Sequence, residues 1–188
     1  MRPKKSNTKR SYFANLKDYQ ELCRRMLKPK EYYQRVEDIN VDSLKERGLD
    51  TVFLDIDNTI LPYTRKDLSI QKQRWIDRLK QAGFTLYMVS NNTNKRRIHR
   101  VCKSQESYGL YFAMKPSVFP AQSLIQAFDI DTSRAIWVGD QLFTDVLLAN
   151  YLGIDSILVA PIVPEQNVIR HIQRHLEKRL LRWFKFSS

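Results

Sequence analysis

Two carboxylates sit two residues apart in Asp55-Ile56-Asp57-Asn58-Thr59, directly after the apolar run 51–54. Residues two apart on an extended chain point the same way, but here the chain turns. The second carboxylate can therefore approach the same centre from another side. A carboxylate at a strand end can attack phosphorus and form an aspartyl-phosphate. Its neighbour can protonate the leaving oxygen and later deprotonate water. An Asp/Asn turn, with side chains bonded only to local backbone, is the plainer account of the same residues.

Three further clusters follow apolar runs. Ser90-Asn91-Asn92 comes after the run 84–89. Its hydroxyl and nearby backbone N–H groups can hold phosphoryl oxygens, or the trio can simply open a helix as an N-cap. Lys115-Pro116 offers an ammonium that can offset charge building up on a phosphoryl group, although a single lysine at a strand end is usually a solvated charge. Asp140, after Gly139, and Asp145 straddle a strand-to-helix turn in GDQLFTD. Acids so placed can supply oxygen ligands to Mg²⁺, which keeps several waters and takes one or two protein carboxylates. Alternatively, Asp140 caps a helix and Asp145 is a first-turn acid favoured by the helix dipole.

The elements that must position these clusters are legible as alternating patterns. Apolar runs at 51–54, 84–89, 110–114, 135–138 and 154–159 read as five strands. Helical spacing covers 67–82, with Leu68, Ile76 and Leu79, and also 94–105, 118–128 and 142–151. Gly83 and Gly153 are C-terminal stops. Strands alternating with helices predict an α/β fold with a parallel sheet covered on both faces. In such sheets ligands lie beyond the carboxyl ends of the strands. All four clusters fall at that edge.

Composition narrows the setting. The 188 residues suffice for one domain with a real core, and no apolar stretch is long enough to span a bilayer. No apolar h-region follows the basic N-terminus, so a secretory signal is not expected. Two cysteines, Cys23 and Cys102, make no disulfide framework and fit a reducing compartment. The net charge of +12 is unevenly spread. Residues 1–35 hold 11 Lys/Arg against 3 acids and 167–188 hold 6 against 1, which leaves 15 basic and 16 acidic residues between them. A near-neutral body therefore carries two basic ends, suited to nucleic acid, anionic lipid or an acidic protein. The first ten residues read as disordered, and Pro29 interrupts any helix over 12–35.

Four motifs in this order resemble the haloacid dehalogenase (HAD) superfamily of aspartyl-phosphate-forming phosphatases. Within it, FLDIDNTI, VSNN, MKPS and GDQLFTDV with the following AN and G look most like the YqeG family of subfamily IIIA type, related to the mitochondrial phosphatidylglycerophosphate phosphatases. The resemblance covers roughly 30–175. It implies a three-layer Rossmann-like fold with Asp55 as nucleophile and Asp57 as general acid/base. It also implies Mg²⁺ held by Asp55, the Asp57 carbonyl and Asp140, with Asp145 supporting a metal-bound water. Ser90, Asn91 and Lys115 would bind the phosphoryl group, and Thr59, counted with them, would brace the Asp57 loop. The gaps Asp57–Ser90 and Ser90–Lys115 leave no room for a cap domain. An open site of this kind suits a substrate presented on something large.

The expected organisation is a basic extension over 1–30, a capless phosphatase domain over 31–166 and a basic amphipathic helix over 167–188. In the last, Ile169, Ile172, Leu176, Leu180 and Phe184 form one stripe amid Arg170, Arg174, Lys178, Arg179, Arg182 and Lys185. That helix either packs on the domain or lies in an anionic headgroup region. His171 and His175, four apart, read as solvated rather than zinc-binding, and Cys102 has no partner that would make it a nucleophile. The leading expectation is a Mg²⁺-dependent phosphatase of phosphatidylglycerophosphate, cytoplasmic and peripheral on the inner membrane face. A soluble phosphate ester (nucleotide, sugar phosphate or phosphoprotein) is the alternative. The remaining one is a basic RNA- or ribosome-binding protein with a vestigial site. A mitochondrial presequence at the N-terminus is the minority reading of the first residues.

Overall fold

In a computed structural model, residues 16–164 and 168–186 are described; the expectation of disorder over the first ten residues lies outside them. The chain runs α1 (Leu16–Leu27), β1 (Glu31–Tyr33), α2 (Val41–Glu46), β2 (Thr51–Leu54), α3 (Ile70–Gln81), β3 (Thr85–Val89) and α4 (Lys95–Ser104). It continues through β4 (Tyr108–Leu110), α5 (Val118–Ala127), β5 (Ala135–Gly139), α6 (Leu147–Tyr151), β6 (Asp155–Val159) and α7 (Val168–Trp183). The strands form one parallel sheet in the order β1-β6-β5-β2-β3-β4.

Alternation along the strands divides the core into two layers. Val52 and Leu54 of β2, Leu86 and Met88 of β3, and Ile136 and Val138 of β5 pack with Leu44 of α2, Ile76 and Leu79 of α3, and Ile98 of α4. Phe53, Tyr87 and Trp137 point to the opposite face, with Ala121 of α5 and Leu148 of α6. Phe53 stacks between Tyr87 and Trp137, at centroid distances of 5.5 and 5.0 Å. Burial on both faces explains why the central strands read as continuous apolar runs. The links from β2 to α3 and from β3 to α4 contain no folded unit, so the predicted capless α/β fold is observed.

Several elements differ from expectation. The run 110–114 is not the strand: β4 lies earlier, where Gly109 lets the backbone approach Cys102 so closely that an added Cβ would fall 2.2 Å from Sγ. Residues 111–114 turn away instead. The three-residue β1 carries Glu31-Tyr32-Tyr33 with no apolar run, and it gains its place only by pairing with β6. Helix α1 ends before Pro29, and Asn150 Nδ2 on α6 donates to the carbonyls of Met26 and Lys28 (2.9 and 3.3 Å).

Helix α7 is present, but only the C-terminal part of the predicted stripe, Leu180 and Phe184, packs on the domain. Glu177, Leu181 and Phe184 are buried, whereas Ile172 and Leu176 are exposed. Polar anchors set this rotation. Glu177 accepts from the Leu142 N–H at 2.9 Å, and Arg174 bonds both the carboxylate and the carbonyl of Asp140. The side chains of residues 169–171, and with them the expectation for His171, lie outside what is described.

Candidate active site

The carboxyl ends of β2, β3 and β5, with the loop after β4, surround a cavity of about 290 Å³ lined in part by Asp55, Asp57, Ser90, Asn91 and Lys115. β2 ends at Leu54, so Asp55 is the first residue to leave the sheet, and its N–H still bonds Val138 O at 2.9 Å. Asn58, at φ +69°, turns the chain back. Its amide donates to Val163 O (2.9 Å) and accepts from the Val163 N–H (3.0 Å), which ties this loop to the segment after β6. The chain therefore reverses within four residues, and both carboxylates reach one space.

Lys115 is the cation of the cavity floor. Its Nζ donates to Asp55 Oδ1 and Asp145 Oδ1, each at 2.6 Å, and to Val89 O at 2.9 Å. Burial would push this ammonium down, but the Asp145 and Asp55 carboxylates outweigh it and hold the pKa above the ordinary lysine value. The Asn91 amide positions the lysine by accepting from the Lys115 N–H (2.7 Å) and donating to its carbonyl (2.9 Å).

Asp57 is engaged on both oxygens. Oδ1 accepts from Arg97 Nε at 3.1 Å, and Oδ2 accepts from Ser90 Oγ (3.2 Å) and Asn92 Nδ2 (2.8 Å). Arg97 also donates to the carbonyls of Pro62 and Arg65, at 2.9 and 2.6 Å. It thereby ties the β2–α3 loop to α4.

Thr59 is not among the residues that line the cavity; its hydroxyl contacts Asp55 Oδ2 (2.9 Å) and Asp140 Oδ1 (3.3 Å) below the floor, which ties the start of the Asp57 loop to the end of β5. Asp140 and Asp145 are buried there. Gly139 makes room for Asp145, since an added Cβ would fall 2.3 Å from the Asp145 carboxyl carbon. A π-helical turn over Leu142–Val146 then aims that carboxylate back toward Lys115.

Ligand atoms of Asp55, Asp140 and Asp145 lie within 4.8 Å of one another. Among the described residues, Asp55, Asp57, Asp140, Asp145 and Glu177 meet the cations Lys115, Arg97 and Arg174, an excess of two negative charges. Burial pushes the Asp55 carboxyl well above the carboxylate range against the pull of Lys115. It does the same to Asp140 against the pull of Arg174. A buried, oxygen-only donor set whose carboxylates, once all ionised, outnumber their cations by two fits a hard divalent cation.

Reading the sequence missed Arg97 and Arg174, and it gave Asn92 no task of its own. Arg97 lies within a Lys-Arg-Arg run and Arg174 within a basic helix, so residue type does not single them out. Asn92 was visible in the SNN cluster.

The family model for mitochondrial PGP phosphatases matches residues 17–163. A "probable phosphatase YqeG" of Bacillus subtilis (strain 168) is 28% identical over 160 residues, covering 85% of this chain and 92% of that protein. The crystal structure of an uncharacterized protein from Listeria monocytogenes serotype 4b superposes with a TM-score of 0.51 at 21% identity, over 73% of this chain and 100% of that one. This last likeness speaks to the fold alone. The match to the family runs from α1 to the segment after β6 and takes in every strand and all four carboxylate, serine and lysine clusters. The chain is thus a HAD-type phosphatase and belongs to the mitochondrial PGP phosphatase family.

Proposed function

We propose that this phosphatase removes the terminal phosphate of phosphatidylglycerophosphate, forming an aspartyl-phosphate on Asp55 with Mg²⁺ as cofactor. The observation that carries the reading is the placement of Asp55 and Asp57 on one open cavity, with Lys115 against the first and Arg97 against the second. Asp55 attacks phosphorus as the ester bond breaks, and Asp57 delivers a proton to the departing oxygen. Asp57 then takes a proton from water as that water attacks the aspartyl-phosphate, which frees phosphate and restores Asp55. Lys115, the Ser90 hydroxyl and Asn91 would hold the phosphoryl oxygens, exchanging present partners for them as substrate enters. Asp55, Asp140 and Asp145 would hold Mg²⁺, which supplies positive charge to the phosphoryl group and favours ionised Asp55.

The lipid assignment draws on the family, on the open mouth and on the two basic ends. The outward side of α7 exposes Ile172 and Leu176 beside Lys178, Arg179 and Arg182, which supports peripheral attachment to an anionic leaflet. Among the described residues no helix is long and apolar enough to cross a membrane. A soluble ester is the competing reading, because the cavity admits a headgroup-sized molecule whatever it is attached to. The deciding assay measures Mg²⁺-dependent phosphate release from phosphatidylglycerophosphate in anionic vesicles and from a panel of soluble phosphates. Clear preference for the lipid is expected, and equal or better turnover of a soluble ester would overturn it.

A further inference from the structure

The loop that delivers Lys115 to the cavity exposes apolar side chains on its other side. Tyr111, Phe112 and Met114 are 42%, 52% and 47% exposed, and Phe119, at the start of α5, is 72% exposed. The loop is firmly held. The Phe112 N–H donates to Asn92 O (3.0 Å), the Ala113 N–H to Ser90 O (2.9 Å), and the Asn91 amide clasps the Lys115 peptide. Phe112 and Met114 nevertheless adopt φ of +49° and +51°, which bulky residues disfavour and Asn or Gly would accept more readily. Large apolar residues are thus kept exposed at two positions where local backbone preference argues against them.

Charge around this patch is one-sided. Residues 91–98 and 111–119 contain no carboxylate; of their cations Arg97 is paired with Asp57 and Lys115 with Asp55 and Asp145, which leaves Lys95 and Arg96 to face outward. Lys95 and Arg96 are exposed, and Lys95 Nζ lies 5.5 Å from the centre of the Tyr111 ring. The β2–α3 loop adds exposed Arg65, Lys66 and Tyr63, with Asp67 beside them. Aromatic and apolar side chains with flanking cations suit the headgroup boundary of an anionic bilayer. A cavity of about 290 Å³ takes a phosphorylated headgroup but not the acyl chains. A lipid substrate must therefore stay partly in its membrane while its phosphate reaches Asp55, which requires the cavity mouth itself to meet the surface.

We propose that Tyr111, Phe112, Met114 and Phe119 form a membrane-contacting rim that enters the headgroup region of an anionic leaflet and lowers the cavity mouth onto it. This rests on the lipid reading above and goes beyond it by adding a contact at the mouth to that of the basic ends. The basic residues draw the protein to the surface, and the apolar rim sets the depth and orientation.

The test is co-sedimentation with vesicles of phosphatidylglycerol and phosphatidylcholine that contain no phosphorylated substrate. The full chain is compared with the triple variant Phe112→Asn, Met114→Asn, Phe119→Ser, whose Asn side chains tolerate the left-handed backbone. Vesicle affinity is expected to fall about tenfold or more, from the lost apolar burial. Hydrolysis of soluble p-nitrophenyl phosphate should remain within about twofold of the parent, which also shows that the variant folds. Unchanged vesicle affinity in the variant, or no vesicle binding by the parent, overturns the rim. A rim that serves a protein partner would give the second result. Vesicle binding lost in the variant while phosphatidylglycerophosphate is not a substrate of the parent would uphold the rim and refute the substrate. Phosphatidylglycerophosphate hydrolysis with rim-independent vesicle binding would do the reverse.

Discussion

Replacing Lys115 by Met tests how the floor of the cavity is held together. Methionine fills similar volume, so packing changes little, but three hydrogen bonds and the cation between Asp55 and Asp145 disappear. Breaking a buried ion pair from one side costs about 3–5 kcal/mol, because the remaining charge is left uncompensated. For a chain of this size that corresponds to a fall in Tm of roughly 6–20 °C, at about 2–4 °C per kcal/mol. The cost should depend on pH. At low pH Asp55, whose carboxyl burial already holds above the carboxylate range, takes up a proton and sheds its charge, so the lost hydrogen bonds, at about 1 kcal/mol each, make up more of the cost. Urea unfolding of parent and variant in chelator at about pH 5.5 and about pH 8 measures both values. The difference should be larger at the higher pH. Adding Asp145→Asn should recover part of it, giving a coupling of about 1 kcal/mol or more in a double-mutant cycle. A destabilisation under about 1 kcal/mol, or one independent of pH, would refute the account of Lys115 as the charge that lets these carboxylates be buried.

Three other predictions concern the surrounding groups. Arg97→Ala frees Asp57 from its guanidinium and from the β2–α3 loop, so kcat for an alkyl phosphate should fall about 10²-fold. p-Nitrophenyl phosphate, whose leaving group needs little proton assistance, should be affected far less, and an equal loss on both esters would argue against a positioning role. Asp55 and Asp140 both have raised folded-state pKa values, so the folded chain binds more protons than the unfolded one between the ordinary carboxylate range and neutrality. Their contribution to stability is present at acid pH and is lost as pH rises through the folded values. The gain in Tm on adding Mg²⁺ should therefore be greater at about pH 8 than at about pH 5.5, and an equal gain would refute the shared site. Gly139→Ala must displace Asp145, and thermal melts should show a loss of about 1–3 kcal/mol together with most of the Mg²⁺ response.

The clusters that read clearly from sequence are those whose signal is local. Asp55, Ser90 and Asp140 each follow an apolar strand, and a parallel sheet gathers such strand ends without further information. The β1 strand was illegible because three half-buried residues carry no period of their own; its partner β6 lies more than 120 positions away. The apolar stripe of α7 was real as a pattern, yet Arg174 and Glu177 face the domain because their partners, Asp140 and the Leu142 N–H, wait there. Hydrophobic spacing cannot register an anchor made of charge. Arg97 was hidden for the same reason, since its task depends on Asp57 and on two carbonyls across the fold.

The central claim is that Asp55 carries the phosphoryl group. Rapid quenching during turnover of ³²P-labelled substrate, with a parallel sample reduced by tritiated borohydride (which expels the phosphate and leaves tritiated homoserine) and then peptide-mapped, addresses it most directly. Label that accumulates transiently on the peptide bearing residue 55, with reduction at that residue and no label in Asp55→Asn, is the predicted result. Label on another side chain, or turnover retained by Asp55→Asn, would contradict the mechanism proposed for this site.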